Sequence, residues 1–173
     1  LHTELREQLW PLLTIDAEFD IEPLWGMVHT ARILGVGEPS RSVLQLQPIV
    51  HGLIRRATAE GTPLIIALDI PVEDGPRLAA WVDPSHGTSV EPPLPEEYDA
   101  LLRSIRAHNR SAAPTIRVVG IGTDDYAMAT LVERSALAAP GARVLVLSHN
   151  RRIDRAPTGP DRSMGTYLAR RFG

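Results

Sequence analysis

The chain has 173 residues, 43% of them hydrophobic, and a formal net charge of −3 with its histidines neutral. That length suits a single domain with a buried core, and that hydrophobic share argues against disorder. There is no basic excess to neutralise phosphates, so nucleic acid is not an expected partner.

Residues 4–13 read as a helical segment, with Leu5, Leu9, Leu12 and Leu13 on one face and Pro11 interrupting it. Phe19 to Val28 reads as a short helix or loop that leads into a first strand, Ala31 to Gly37. Glu38 to Arg41 is a loop. Val43 to Ala59 then shows helical spacing through Leu46, Ile49, Val50, Leu53 and Ile54, and Gly61 stops it. Leu64 to Asp69 is a second strand, apolar almost throughout, as a parallel strand covered on both faces should be. Pro76 to Val82 is a short helix. The segment 84–95 is a proline-rich loop, the expected mobile segment. Glu96 to His108 is an amphipathic helix with Tyr98, Leu101, Leu102 and Ile105 on one side. Thr115 to Ile121 is a third strand, Asp125 to Ala138 a helix ended by Pro140 and Gly141, and Arg143 to His149 a fourth strand. A polar loop from Asn150 to Arg162 leads to a last helix starting near Met164. Each crossover is long enough for a βαβ unit. The expectation is one α/β domain over residues 1–173, a three-layer α/β/α sandwich on a short parallel sheet of about four strands.

The longest apolar runs, Leu64 to Leu68 and Val144 to Leu147, are strand-sized, far short of the roughly 20 residues that span a bilayer. No apolar signal core surrounds Trp10. A cytoplasmic protein with no membrane partner is therefore expected. The absence of cysteine removes disulfides, thiolate nucleophiles and thiolate zinc sites. All 18 basic residues are arginine, which excludes a Schiff-base or P-loop lysine.

In an open parallel sheet, ligands bind beyond the carboxyl ends of the strands. Four points are expected at one crevice there: Glu38, Asp69, the turn Gly122 to Asp125 (with Asp124), and His149. Glu38 at the rim suits a general acid or base, and equally a carboxylate capping the next helix. Asp69 closes an apolar strand, so it is partly desolvated; its simplest role is to bond a neighbouring loop. His149 suits proton transfer near neutral pH, or a structural bond. His51 lies in mid-helix, one residue from the apolar face. His86 is in the proline-rich loop, and His108 ends a helix, where a cation is mildly favoured. No HxH or HExxH spacing occurs, so no metal is expected. Gly35-Val-Gly37 lacks the third glycine of a dinucleotide fingerprint, and there is no GxSxG elbow, so no cofactor is expected either.

These segments resemble, in order, the erythromycin esterase-like family. Ala31-Arg-Ile-Leu-Gly-Val-Gly-Glu38 is similar to that family's first strand and Gly-Glu motif, and Leu64 to Asp69 to its second strand, which normally ends in glutamate. Glu97 to Asn109 followed by Ile116 to Gly120 resembles its Leu-rich helix, Asn-containing turn and third strand. Asp125-Tyr-Ala-Met-Ala129, Pro140 to Asn150, and Ser163-Met-Gly-Thr-Tyr-Leu168 resemble later motifs. The resemblance implies a polar cleft in which Glu38, Asp69 and His149 act as catalytic groups. Arg41, Asp124, Asn150 and His51 are the expected substrate-binding residues. It implies water activated against an ester of a small, secondary-metabolite substrate, without a metal. The family's Gly-Glu-x-x-His motif has Arg41 in place of its histidine. Cyclisation, isomerisation or elimination is therefore an equal expectation, with Arg41 binding an oxyanion or carboxylate. An inactive relative that binds a ligand or partner protein is the alternative, and a haem- or metal-binding relative a third. The resemblance also implies that longer members carry a second half of the sheet, so this shorter chain would expose a sheet edge and pair as a homodimer.

Overall fold

The computed structural model describes residues 20–38, 47–87, 92–111, 115–155 and 162–172. It is a three-layer α/β/α sandwich. The elements are α1 (Glu22–Val28), β1 (Ile33–Glu38), α2 (Gln47–Ala59), β2 (Leu64–Leu68), α3 (Gly75–Val82), α4 (Asp99–Ser111), β3 (Ile116–Gly120), α5 (Asp125–Ala138), β4 (Arg143–His149), α6 (Asn150–Ile153) and α7 (Met164–Phe172). Short 3-10 turns occupy Val72–Asp74, Pro84–His86 and Glu96–Tyr98. The sheet is parallel throughout, in the order β1-β4-β2-β3.

Burial follows from that order. Every residue of β2 is buried, as are Val144 to Ser148 of β4, because helices cover both faces of the two inner strands. Alternate residues divide between two cores. Leu64, Ile66, Leu68, Leu145 and Leu147 meet α1 to α4. Ile65, Ala67, Val144 and Val146 meet α5 and α7. The apolar stripe read from α4 is confirmed: Tyr98, Leu101, Leu102 and Ile105 are all buried. Gly61 stops α2 at a positive φ of 71°, a conformation that costs glycine little.

The structure shifts several boundaries. Glu38 is the last residue of β1, not the first of a loop. The helix expected from Glu96 begins as a 3-10 turn and becomes α-helical at Asp99. The expected polar loop after His149 starts with α6. His149 Nδ1 accepts from the Arg151 N–H at 3.2 Å and caps it, and Ile153 packs onto Gly35 of β1. The helix expected over 4–13, residues 43–46 and Arg41 lie outside the described residues.

The outer edge of β3 is closed at both ends. Gly75 of α3 packs on Gly120 so tightly that a Cβ on Gly75 would lie 2.7 Å from the Gly120 nitrogen. At the other end sits buried Asn109, at the end of α4. Its Nδ2 donates to the carbonyls of Val82 at 3.1 Å and Ile116 at 2.8 Å, and its Oδ1 accepts from the Ile116 N–H at 2.7 Å. One carboxamide thus satisfies the edge strand as a neighbouring strand would, and ties α3, α4 and β3 together. Replacing it leaves buried backbone groups unpaired. Asn109→Leu is expected to lower unfolding free energy by about 2–4 kcal/mol, read as a lower urea midpoint at unchanged m value. A loss below about 0.5 kcal/mol would contradict this role.

Candidate active site

β4 fixes the geometry at the carboxyl edge of the sheet. Glu38 of β1 and His149 of β4 are register partners. Glu38 stands two residues beyond Val36, and His149 two beyond Leu147, so both side chains leave the sheet toward the layer of α1 to α4. The turn that precedes α4 lies on that side. It carries Glu97, close enough for its charge to act on Glu38. Tyr98 Oη is 3.5 Å from the Leu147 carbonyl, which sets this turn against β4.

Glu38 is a half-buried carboxyl. Among the described residues no hydrogen bond or ion pair is made to it. Burial pushes its pKa above the ordinary glutamate value, and the neighbouring Glu97 carboxylate pushes it further in the same direction. His149 carries its structural bond at Nδ1, where it accepts from Arg151. That acceptor role places the proton of the neutral ring on Nε2. Glu38, Glu97 and His149 therefore gather two carboxyls and an imidazole at one end of the sheet.

Asp69 belongs elsewhere. Its N–H donates to the Leu147 carbonyl at 3.2 Å, continuing the sheet toward β4. Ser148 Oγ donates to Asp69 Oδ2 at 2.6 Å, and Arg152 Nε lies 3.5 Å from the same oxygen. Ser148 is in phase with Val144 and Val146, so this cluster emerges on the side of α5 and α7. Arg152 also donates to the Thr123 carbonyl. The carboxylate expected to orient Glu38 or His149 instead anchors α6 and the turn after β3. Its Oδ1 is buried and, among the described residues, without a hydrogen-bond partner.

The other expected binding residues spread out. Asp124 is exposed and caps α5, accepting from the Ala127 N–H at 2.8 Å. Asp125 accepts from the Met164 N–H at 2.9 Å and so fastens the start of α7. Asn150 begins α6, its Oδ1 against the backbone of Gly37. His51 is half-buried on α2, its Nε2 without a hydrogen-bond partner among the described residues; burial, then the Arg55 charge, lowers its pKa. Arg41 lies outside the described residues. His86 is exposed and pairs with Asp83 at 3.2 Å in the turn after α3. The expected single crevice is thus two compartments, one on each side of β4. Sequence reasoning missed Glu97, which looked like one more polar residue on an amphipathic helix. The Glu96-Glu97 pair directly after a proline-rich segment was its one signal. Among the described residues, no group of three or more histidines and carboxylates is arranged to hold a metal ion, and no helix is long and apolar enough to cross a membrane.

The raised pKa of Glu38 has a consequence for stability. Between the unfolded value near 4.5 and its folded value, the native state binds more protons than the unfolded state. Stability contributed through Glu38 therefore falls as pH rises through that window. Glu38→Gln removes the penalty. The variant should gain stability relative to the parent on going from about pH 4 to about pH 7, measured by urea unfolding at both. An unchanged difference would contradict the assigned environment.

No protein-family model and no curated protein matches the chain. Two solved structures share the fold. One, a protein from Bacillus cereus, has a TM-score of 0.70 at 14% identity, covering 100% of this chain and 72% of the other. The second, a succinoglycan biosynthesis protein, has a TM-score of 0.69 at 12% identity, covering 92% of this chain and 68% of the other. At these identities the likeness shows the α/β fold.

Proposed function

We propose that the chain is an acid/base enzyme for a small organic substrate of the secondary-metabolite kind. Glu38 is the proton-transfer group, its pKa raised by burial and further by Glu97, and His149 is the imidazole beside it. The observation that carries this reading is a half-buried Glu38 with a carboxylate neighbour and no bonding partner among the described residues. An acid built only for structure gains a donor or a cation when it is desolvated. A pKa raised toward the working pH is what general acid/base catalysis needs.

The chemistry can follow either of two courses. In ester hydrolysis, ionised Glu38 takes a proton from water as the water oxygen attacks the carbonyl. The proton then passes to the leaving alkoxide. In cyclisation, isomerisation or elimination, the same group removes a proton from the substrate and returns it at another atom or to the leaving group. The resemblance of the strand-end segments to the erythromycin esterase-like family favours hydrolysis. The fold shared with a succinoglycan biosynthesis protein favours a step in biosynthesis. Asp69 acts at one remove: with Ser148 it holds Arg152, three residues after His149, and so steadies α6.

Incubating the purified protein with a small-molecule extract of its source cells, followed by mass spectrometry, tests the reading. One compound should be consumed, and folded Glu38→Gln should consume it at least about 100-fold more slowly. Gain of water in the product identifies hydrolysis, unchanged mass isomerisation or cyclisation, and loss of water elimination. Equal turnover by Glu38→Gln would overturn the assignment.

The homodimer belongs to the same proposal. Because Asn109 and Gly75 close the β3 edge, the pairing edge is β1, at the other end of the sheet. Sedimentation at micromolar concentration should show a dimer; a clean monomer would refute it.

A further inference from the structure

The outer edge of β3 borders a cavity of about 450 Å³ between α3 and α5, a size that suits a small molecule. The strand order puts it at the opposite edge of the sheet from β1, so it is remote from Glu38. Ala79 and Ala80 of α3 stand on one wall and Leu131 of α5 on the other. All three are partly exposed, so the walls are open to a ligand arriving from solvent.

One cation lines this space with no acid to neutralise it. Alternation along β3 sends Ile116 and Val118 into the core shared with α3 and α4, and Val119 toward the core shared with α5. Arg117 is in phase with Val119 and is the register partner of Ile65, which belongs to that second core, so its side chain stands on the α5 side. Arg117 is exposed, and among the described residues no hydrogen bond or ion pair is made to its side chain. Arg56, Arg77, Arg103 and Arg171, by contrast, each hold a carboxylate at 2.6 to 3.0 Å. Asp83 is the one acid among the described residues that line the cavity, and it is engaged in its own turn. It accepts from the Ser85 N–H at 2.8 Å and from the Ser85 hydroxyl at 2.7 Å, and it pairs with His86 at 3.2 Å.

We propose that this cavity binds a small monocarboxylic acid with an apolar body. Arg117 takes the carboxylate, and the body lies between Ala79, Ala80 and Leu131. A guanidinium donates two parallel N–H bonds to a planar carboxylate, which fixes the orientation of the ligand as well as its charge. A single unpaired cation balances one negative charge, which favours a carboxylate over a dianionic phosphate. Ser135 adds a hydroxyl to the wall on the side of Arg117.

Titration of the ¹⁵N-labelled chain with cinnamate at constant ionic strength tests this. The amide signals of Ala80, Val119 and Leu131 should shift and saturate in the millimolar range, while that of His149 stays in place. Neutral cinnamamide, of the same shape, should bind about tenfold more weakly. Arg117→Gln, a change at an exposed position, should fold and weaken cinnamate by a similar factor while leaving cinnamamide unaffected. A charge on an edge strand also deters pairing with another chain. Equal binding of the two ligands, or undiminished cinnamate binding by Arg117→Gln, would leave Arg117 that role alone and overturn the proposal. Shifts confined to the signals around His149, or no shifts, would overturn it too.

Discussion

The structure depends on where its last strand goes. β4 enters the sheet between β1 and β2, and its interior residues have no route to solvent on either face. Placing it there reverses the direction in which the chain builds the sheet. Connections from β1 to β2 and from β2 to β3 advance one way, and their helices lie on one face. The connection from β3 to β4 runs back, so α5 lies on the other face, as a constant crossover hand requires. The helix that follows β1 thus lies on one face of the sheet, and those that follow β4 on the other. Glu38 and His149 stand as register partners at the carboxyl ends of these two strands, where an open parallel sheet binds its ligands.

The same insertion divides the acidic residues of the sheet edge. With β4 between them, Glu38 and Asp69 meet different surroundings. Asp69 gains the Ser148 hydroxyl and the Arg152 guanidinium, and becomes a fastening for α6. Glu38 gains burial and the charge of Glu97, both of which favour its protonated form. Two carboxyls of near-identical chemistry are thus given different electrostatic surroundings by the fold.

Much of this was legible in the residues. The four strands, the stripe of α4, and the placement of Glu38 and His149 at strand ends follow from apolar runs and helical spacing. The side on which Asp69 emerges was not, because Leu64 to Leu68 is apolar throughout and its alternation carries no mark of face. The strand order was hidden too, since nothing local says that β4 inserts between β1 and β2. Glu97 joins the site through tertiary packing of a turn far along the chain. Asn109 reads as an ordinary helix-end asparagine until β3 is laid beside it. α6 is too short, and too polar in Asn150, Arg151 and Arg152, to show a helical period.

The central claim is that Glu38 is a proton-transfer group tuned by burial and, beyond that, by Glu97. Titrating the Glu38 side-chain carboxyl carbon by NMR, in the parent and in Glu97→Gln, measures this directly. The account predicts a Glu38 that titrates above the ordinary glutamate range and moves back toward it when the Glu97 charge is removed. A Glu38 that titrates in the ordinary range in both proteins would contradict it.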